Sequence, residues 1–185
     1  SYSLGIFSHG TEFVLNNSEI KNTSLFPALS VFGGEVSIED SRLENGISHG
    51  LFVNHGTAFI ERTTVKGFAQ SGISTIQGSV YFNAGLLQSN TVGFRVEVQE
   101  EPPILVRVMQ YLLEKIVPSA YANPVRIISG SSIIGNLVGV QNDSTTVLDA
   151  RQNWWGNASG PLHELNPSGA GDSVSDGVLF TSWLS

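Results

Sequence analysis

The sequence predicts an all-β chain wound into a parallel β-helix of about six three-stranded coils. Three observations predict it. Apolar residues recur every 21 to 23 positions, they alternate with period two inside each repeat, and turn-forming residues separate the alternating runs. The first apolar row is Ile6, Leu29, Leu51, Ile73, Phe94 and Val140. The second is Leu15, Ile38, Ile60, Phe82, Ile128 and Ala150, and the third is Ile20, Leu43, Val65, Leu87, Ile133 and Trp155. Every row contains one step of 46, so about two dozen residues are inserted near 99–124 while the register on either side is kept.

Each repeat divides into three short strands. Leu51 and Val53 share one face around Phe52, as Ala58 and Ile60 do around Phe59. A repeat of this length with no helical period fits one coil, whose apolar rows stack roughly 4.8 Å apart. Leucine-rich repeats need a Leu and Asn spacing that is missing, and a β-sandwich would not keep like residues at one interval. Gly5, Gly50, Gly72, Gly93 and Gly139 open most repeats and are expected at corners that need a backbone without Cβ. Asn22, Asn45, Gly67, Ser89, Gly135 and Asn157 form a mixed turn row after the third strand. Arg126 falls in an inward slot, so it is expected to turn outward through a local slip or to mark a register error of one residue.

The insertion carries Pro102 and Pro103 at one end and Pro118 and Pro124 at the other. Between them Leu105, Val108, Met109, Leu112, Leu113 and Ile116 form one stripe, which predicts an amphipathic α-helix near 104–117. Its apolar stripe is expected to pack on the outer face of the first or second strands, the first preferred. The chain is thus a single domain, with coils over 3–98 and 125–157, a helical insertion over 99–124 and an end cap over 158–185.

Composition bounds the function. The 185 residues hold 16 acidic against 9 basic side chains, a net charge of −7, which argues against nucleic acid or an anionic membrane as partner. The inserted apolar run is too short and too charged to span a bilayer. Cysteine is absent, which excludes disulfides, thiolate metal sites and cysteine nucleophiles. The opening Ser1-Tyr2-Ser3 reads as a processed or excised start.

The last quarter of the chain carries a specific ending: Asn153-Trp154-Trp155-Gly156, Ser159-Gly160-Pro161, Asn166-Pro167, then Gly169 to Phe180 and Trp183-Leu184. It resembles the C-terminal end of right-handed parallel β-helix proteins of the pectate-lyase-like superfamily, which occur in bacterial and archaeal secreted and cell-surface proteins. Ser182 departs from that pattern, where a proline usually precedes the last tryptophan. The resemblance implies a right-handed coil and an extracellular or cell-surface location. Physically the ending serves as a plug, because a last coil exposes apolar columns and strand edges. Trp155, Phe180 and Trp183 are the expected plugs. The first coil shows no such cap, so further copies of the chain or a preceding domain are the expected partners there.

Enzymes of this superfold cut polysaccharides in a groove along the coil faces. Glycosidases need two carboxylates, and the lyases need a basic residue with a metal ion. The outward cluster Arg95, Glu97 and Asp143, with Gln141, supplies the only catalytic candidates, and an ordinary exposed ion-pair patch is the preferred reading of it. Phe7, Phe32, Phe52 and Trp154 are the candidates for stacking on sugar rings. Asp172 and Asp176 are the calcium candidates. His9, His49 and His55 each precede glycine and read as corner residues. Asn16, Asn22, Asn142 and Asn157 head Asn-x-Ser matches of the kind an Asn- and Ser-rich chain contains by chance. No cofactor is implied. The expected function is a non-catalytic display, adhesion or assembly module of a secreted or surface protein, with polysaccharide binding or cleavage as the alternative.

Overall fold

In the computed structural model the described residues are 5–10, 12–98 and 124–185. They form three parallel sheets that are the three walls of a solenoid. The first wall stacks β1 (Ile6–His9), β4 (Leu29–Phe32), β7 (Leu51–Asn54), β10 (Ser71–Ile76), β13 (Val92–Val96) and β16 (Val138–Asn142). The second stacks β2 (Glu12–Asn16), β5 (Glu35–Glu39), β8 (Thr57–Glu61), β11 (Ser79–Asn83), β14 (Arg126–Ser129), β17 (Leu148–Asp149) and β20 (Val178–Leu179). The third holds β3 (Glu19–Thr23), β6 (Arg42–Gly46), β9 (Thr64–Phe68), β12 (Leu86–Gln88) and β15 (Ser132–Ile134). Five coils are complete. In the sixth, the third strand is reduced to a single parallel bridge between Ser132 and Trp154. β18 (Pro161–Leu162) and β19 (Gly171–Ser173) pair with each other in the cap.

The apolar rows are the register of the sheets. Ile6 pairs with Leu29, Leu29 with Leu51, Leu51 with Ile73, Ile73 with Phe94, and Phe94 with Val140. The same holds from Leu15 to Ile128 and from Ile20 to Ile133. Leu29, Leu43, Val65, Ile73, Leu87 and Phe94 are wholly buried. Each such side chain contributes about 1.5–3 kcal/mol by leaving water.

The corners follow the expected pattern except at one position of the turn row, Asn157. All three carry rows of left-handed backbone. The third corner has Asn22, Asn45, Gly67, Ser89 and Gly135, at φ between 54° and 74°, as the turn row predicts. Asn157 leaves that row, because Gly156 takes the left-handed position at φ 85°. The repeat-opening glycines meet the expected need for a backbone without Cβ, and none of them is left-handed. They are needed because coils approach closely: a Cβ on Gly72 would lie 2.8 Å from the Gly93 carbonyl oxygen, and one on Gly93 would lie 2.5 Å from that of Gly139.

Two polar ladders fill the corners from inside, and neither is visible as a pattern in the sequence. At the second corner Ser41, Thr63, Ser131 and Asn153 are buried. Their side chains accept the backbone N–H of Ser18, Ser41, Gly85 and Ser131 respectively. At the third corner Asn90 Oδ1 accepts the Phe68 N–H, and Asn136 Oδ1 accepts both the N–H and the Nδ2 of Asn90. These bonds answer the donors that a tight turn strips from the sheet.

Arg126 follows neither expected course. It pairs with Val80 in register, stays in the inward row and is 6% exposed. The register is right; the guanidinium remains inside because Nη1 donates to Thr146 Oγ1 at 2.8 Å. The predicted helix over 104–117, and the face it would cover, lie outside the described residues. Among the described residues there is no helix.

The last coil is closed by unlike contacts. Trp155 is fully buried, and Phe180 is 3% exposed and stacked 6.4 Å from Trp183. The Trp183 indole covers Gly160 and donates from Nε1 to the Ala158 carbonyl at 3.1 Å. Val174 bridges to Val140 and β20 pairs with β17, so the cap extends two walls by one strand position each.

Candidate functional site

The outer face of the first sheet gathers most of the candidates. Period-two alternation sends two rows outward: Phe7, Ser30, Phe52, Ser74, Arg95 and Gln141, and beside them His9, Phe32, Asn54 and Ile76. Glu97 and Asp143 continue the second row, their N–H groups donating to the carbonyls of Thr75 and Val96. Ser30 and Ser74 are nearly inaccessible although they point outward. Each sits between two larger neighbours that close over it.

The catalytic candidates are brought together as pairs rather than as one centre. Arg95 Nε donates to Asp143 Oδ2 at 3.0 Å, and Gln141 Nε2 donates to Asp143 Oδ1 at 2.8 Å. Glu97 engages other partners. The Ser74 hydroxyl donates to its Oε1, and His49 Nε2 lies 3.9 Å from the same oxygen. His49 sits at the corner between β6 and β7, as expected, but its side chain has a role the corner position does not imply. Its ring leaves the turn and stacks on Phe52, with centroids 5.9 Å apart, and it becomes largely buried. Burial pushes its pKa below the usual histidine value, opposed by Glu97 and reinforced by Arg95. At neutral pH it is uncharged.

The chemistry open to this arrangement is narrow. A serine nucleophile needs the imidazole as its direct base. Here the carboxylate stands between hydroxyl and imidazole, so Ser74 is a positioning donor for Glu97. Sequence reading missed Ser74 and His49. The signal for Ser74 was its place in the outward row between Phe52 and Arg95.

The aromatic candidates divide. Phe32 and Phe52 are half-buried and touch, centroids 5.9 Å apart. Phe7 is 54% exposed and meets Phe26 edge-on at 5.6 Å. Trp154 is not with them, because its bridge to Ser132 places it at the third sheet. His9 and His55 flank a shallow concavity at the first corner with Phe32 and Asn54.

The two calcium candidates have separate partners. Asp172 Oδ1 accepts the Gly135 N–H at 2.8 Å, and Oδ2 accepts the Asn136 N–H at 2.9 Å and Nδ2 at 2.7 Å. It is the last rung of the asparagine ladder, and an aspartate ends such a ladder because a carboxylate only accepts. Burial raises its pKa against those donors. The side chain of Asp176 is fully exposed and lies 3.3 Å from His163 Nε2. Among the described residues no three His, Asp or Glu side chains gather as metal ligands. Asn142, one of the Asn-x-Ser matches, is 8% exposed and donates to the carbonyls of Thr146 and Gly177, so its amide is structural.

Comparison of the chain with protein-family models, with curated proteins and with solved structures gives no match.

Proposed function

We propose that the chain is a non-catalytic structural module of a secreted or cell-surface protein, used for display, adhesion or assembly. What supports this reading is the engagement of the polar side chains on the first-sheet face. Arg95 is held by Asp143, and Glu97 is held by Ser74 beside a neutral His49. A polysaccharide lyase needs an unengaged base next to metal ligands, and an arginine in an ion pair is a poor base. The partners in this reading are further copies of the chain or a preceding domain, seated on the first coil, where Ile6, Phe13 and Ile20 keep part of their surface in water. Incubation with uronate polymers is expected to give no cleavage. Turnover that disappears in Arg95→Ala overturns the reading.

A second reading, polysaccharide binding without cleavage, is favoured by one observation: the contiguous Phe32, Phe52 and His49 rings on the same wall. It predicts glycan-array signals that Phe52→Ala abolishes while the melting transition stays cooperative.

A further inference from the structure

We propose that the outer face of the second sheet is a docking surface for a basic amphipathic helix supplied by a partner. Its central outward row is Val14, Ser37, Phe59, Tyr81 and Ile127, paired in register along the solenoid. Val14 is 70% exposed, and Phe59 is 40% exposed although its ring stacks on Tyr81 with centroids 4.9 Å apart. Carboxylates stand on both sides of this spine. Glu12 and Glu35 flank it on one side, Glu39 and Glu61 on the other, with Asp40 at the adjoining corner. Glu12 pairs in register with Glu35, and Glu39 with Glu61, and like charges opposed on neighbouring strands destabilise a sheet. Arg62 bridges Glu39, Asp40 and Glu61. Among the described residues Glu12 and Glu35 meet no cation.

The third sheet shows the alternative: Lys21 meets Glu19 and Lys66 meets Glu44, so its outer face is balanced. On the second, these carboxylates face a single guanidinium, and a cationic partner relieves a repulsion that the fold leaves in place. The same charge turns away a second copy of the chain, nucleic acid and an anionic membrane. Dimensions select a helix. Glu35 and Glu39 lie on one strand with three residues between them, about 13 Å apart. A helix with its side chains is roughly 10–12 Å wide. Lying along the solenoid axis, it sets an apolar stripe on Phe59 and Tyr81 while flanking lysines or arginines reach both acidic rows. The patch spans few coils, so the association is weak and salt-sensitive.

The test is binding of the whole chain to a labelled, end-blocked Leu/Lys peptide with leucines at i, i+3, i+4 and i+7, read by fluorescence anisotropy. The parent is expected to bind, and to bind more weakly as salt rises. Phe59→Ser should weaken binding about ten-fold. The double variant Glu12→Gln and Glu35→Gln should weaken it several-fold while melting roughly 1–3 °C above the parent, so unfolding does not account for the loss. Glu44→Gln on the third sheet should bind like the parent. A parent that does not bind the peptide overturns the proposal, whether the wall is covered by the chain itself or takes no helix. Equal binding of a peptide of the same composition without the leucine periodicity overturns it too. So does a dimer of the parent that Phe59→Ser dissolves, which gives the wall to a second copy.

Discussion

The middle coils and the cap solve the same problem in opposite ways. In the middle, a buried residue such as Val65 lies between Leu43 and Leu87, and each wall is covered by the next turn of a similar sequence. At the cap no next turn exists. Phe180, Trp183, Asp172 and Ser175 each make a contact that occurs once: an aromatic stack, an indole over Gly160, the end of an amide ladder, and a hydroxyl that accepts the Asn142 N–H at 2.8 Å. Repetition lets the middle tolerate exchange among apolar residues of similar volume. The cap has no equivalent contacts to share a loss.

The contrast is broken most severely by Val65→Asp. An unpaired charge in a dry column costs several kcal/mol against a total stability of roughly 5–15 kcal/mol, so the domain should unfold. A cooperative, near-parental melting curve would refute the register. Phe180→Ala should cost about 3–5 kcal/mol. Hydrogen exchange should show the loss concentrated at β17 and β20, with β7 and β10 protected as before. Uniform loss across all coils would make the cap an integral part of one cooperative unit. Asp172→Ala strands three donors and should cost about 1–3 kcal/mol, read as a shift of the denaturant midpoint without a change of slope.

The smallest effect is a pH dependence. Burial holds the pKa of His49 below its unfolded value, so below about pH 6.5 the unfolded chain binds a proton more readily than the folded one. The stability from keeping His49 neutral is complete above that pH and is lost as the pH falls through the depressed folded value. His49→Gln should flatten the fall in melting temperature between pH 7.5 and pH 5. An unchanged fall assigns it to other groups.

The apolar columns were legible because they repeat: a wrong register at one row would have shown in the other two. The polar ladders were not, since Ser41, Thr63, Ser131 and Asn153 are different residue types serving one geometric role, and Gly85 interrupts their column. Asp172 joins its ladder from outside the repeat altogether. His49 was placed at a corner correctly, and only the direction of its ring was not legible, for a local reason. A histidine before glycine suits a corner, and only the stacked Phe52 and the neighbouring Glu97 draw it onto the face. Of the candidate site, Arg95, Glu97 and Asp143 were placed on the right wall by period alone, but their pairing depends on which side chain reaches which, and spacing does not encode that.

The 46-residue step between Phe82 and Ile128 leaves the strand pairing untouched. Val80 still donates to the Val125 carbonyl at 2.9 Å, and Val125 to Ser79 Oγ at 3.0 Å. A corner in this scaffold is therefore a splice point, where the returning chain is held by the strand of the neighbouring coil. Foreign loops grafted at Gly33-Gly34 or His55-Gly56 inherit the same anchorage, and several grafted in successive coils would stand in a row at a fixed spacing of roughly 4.8 Å. The solenoid is in that sense a ruler, with graduations written at its corners.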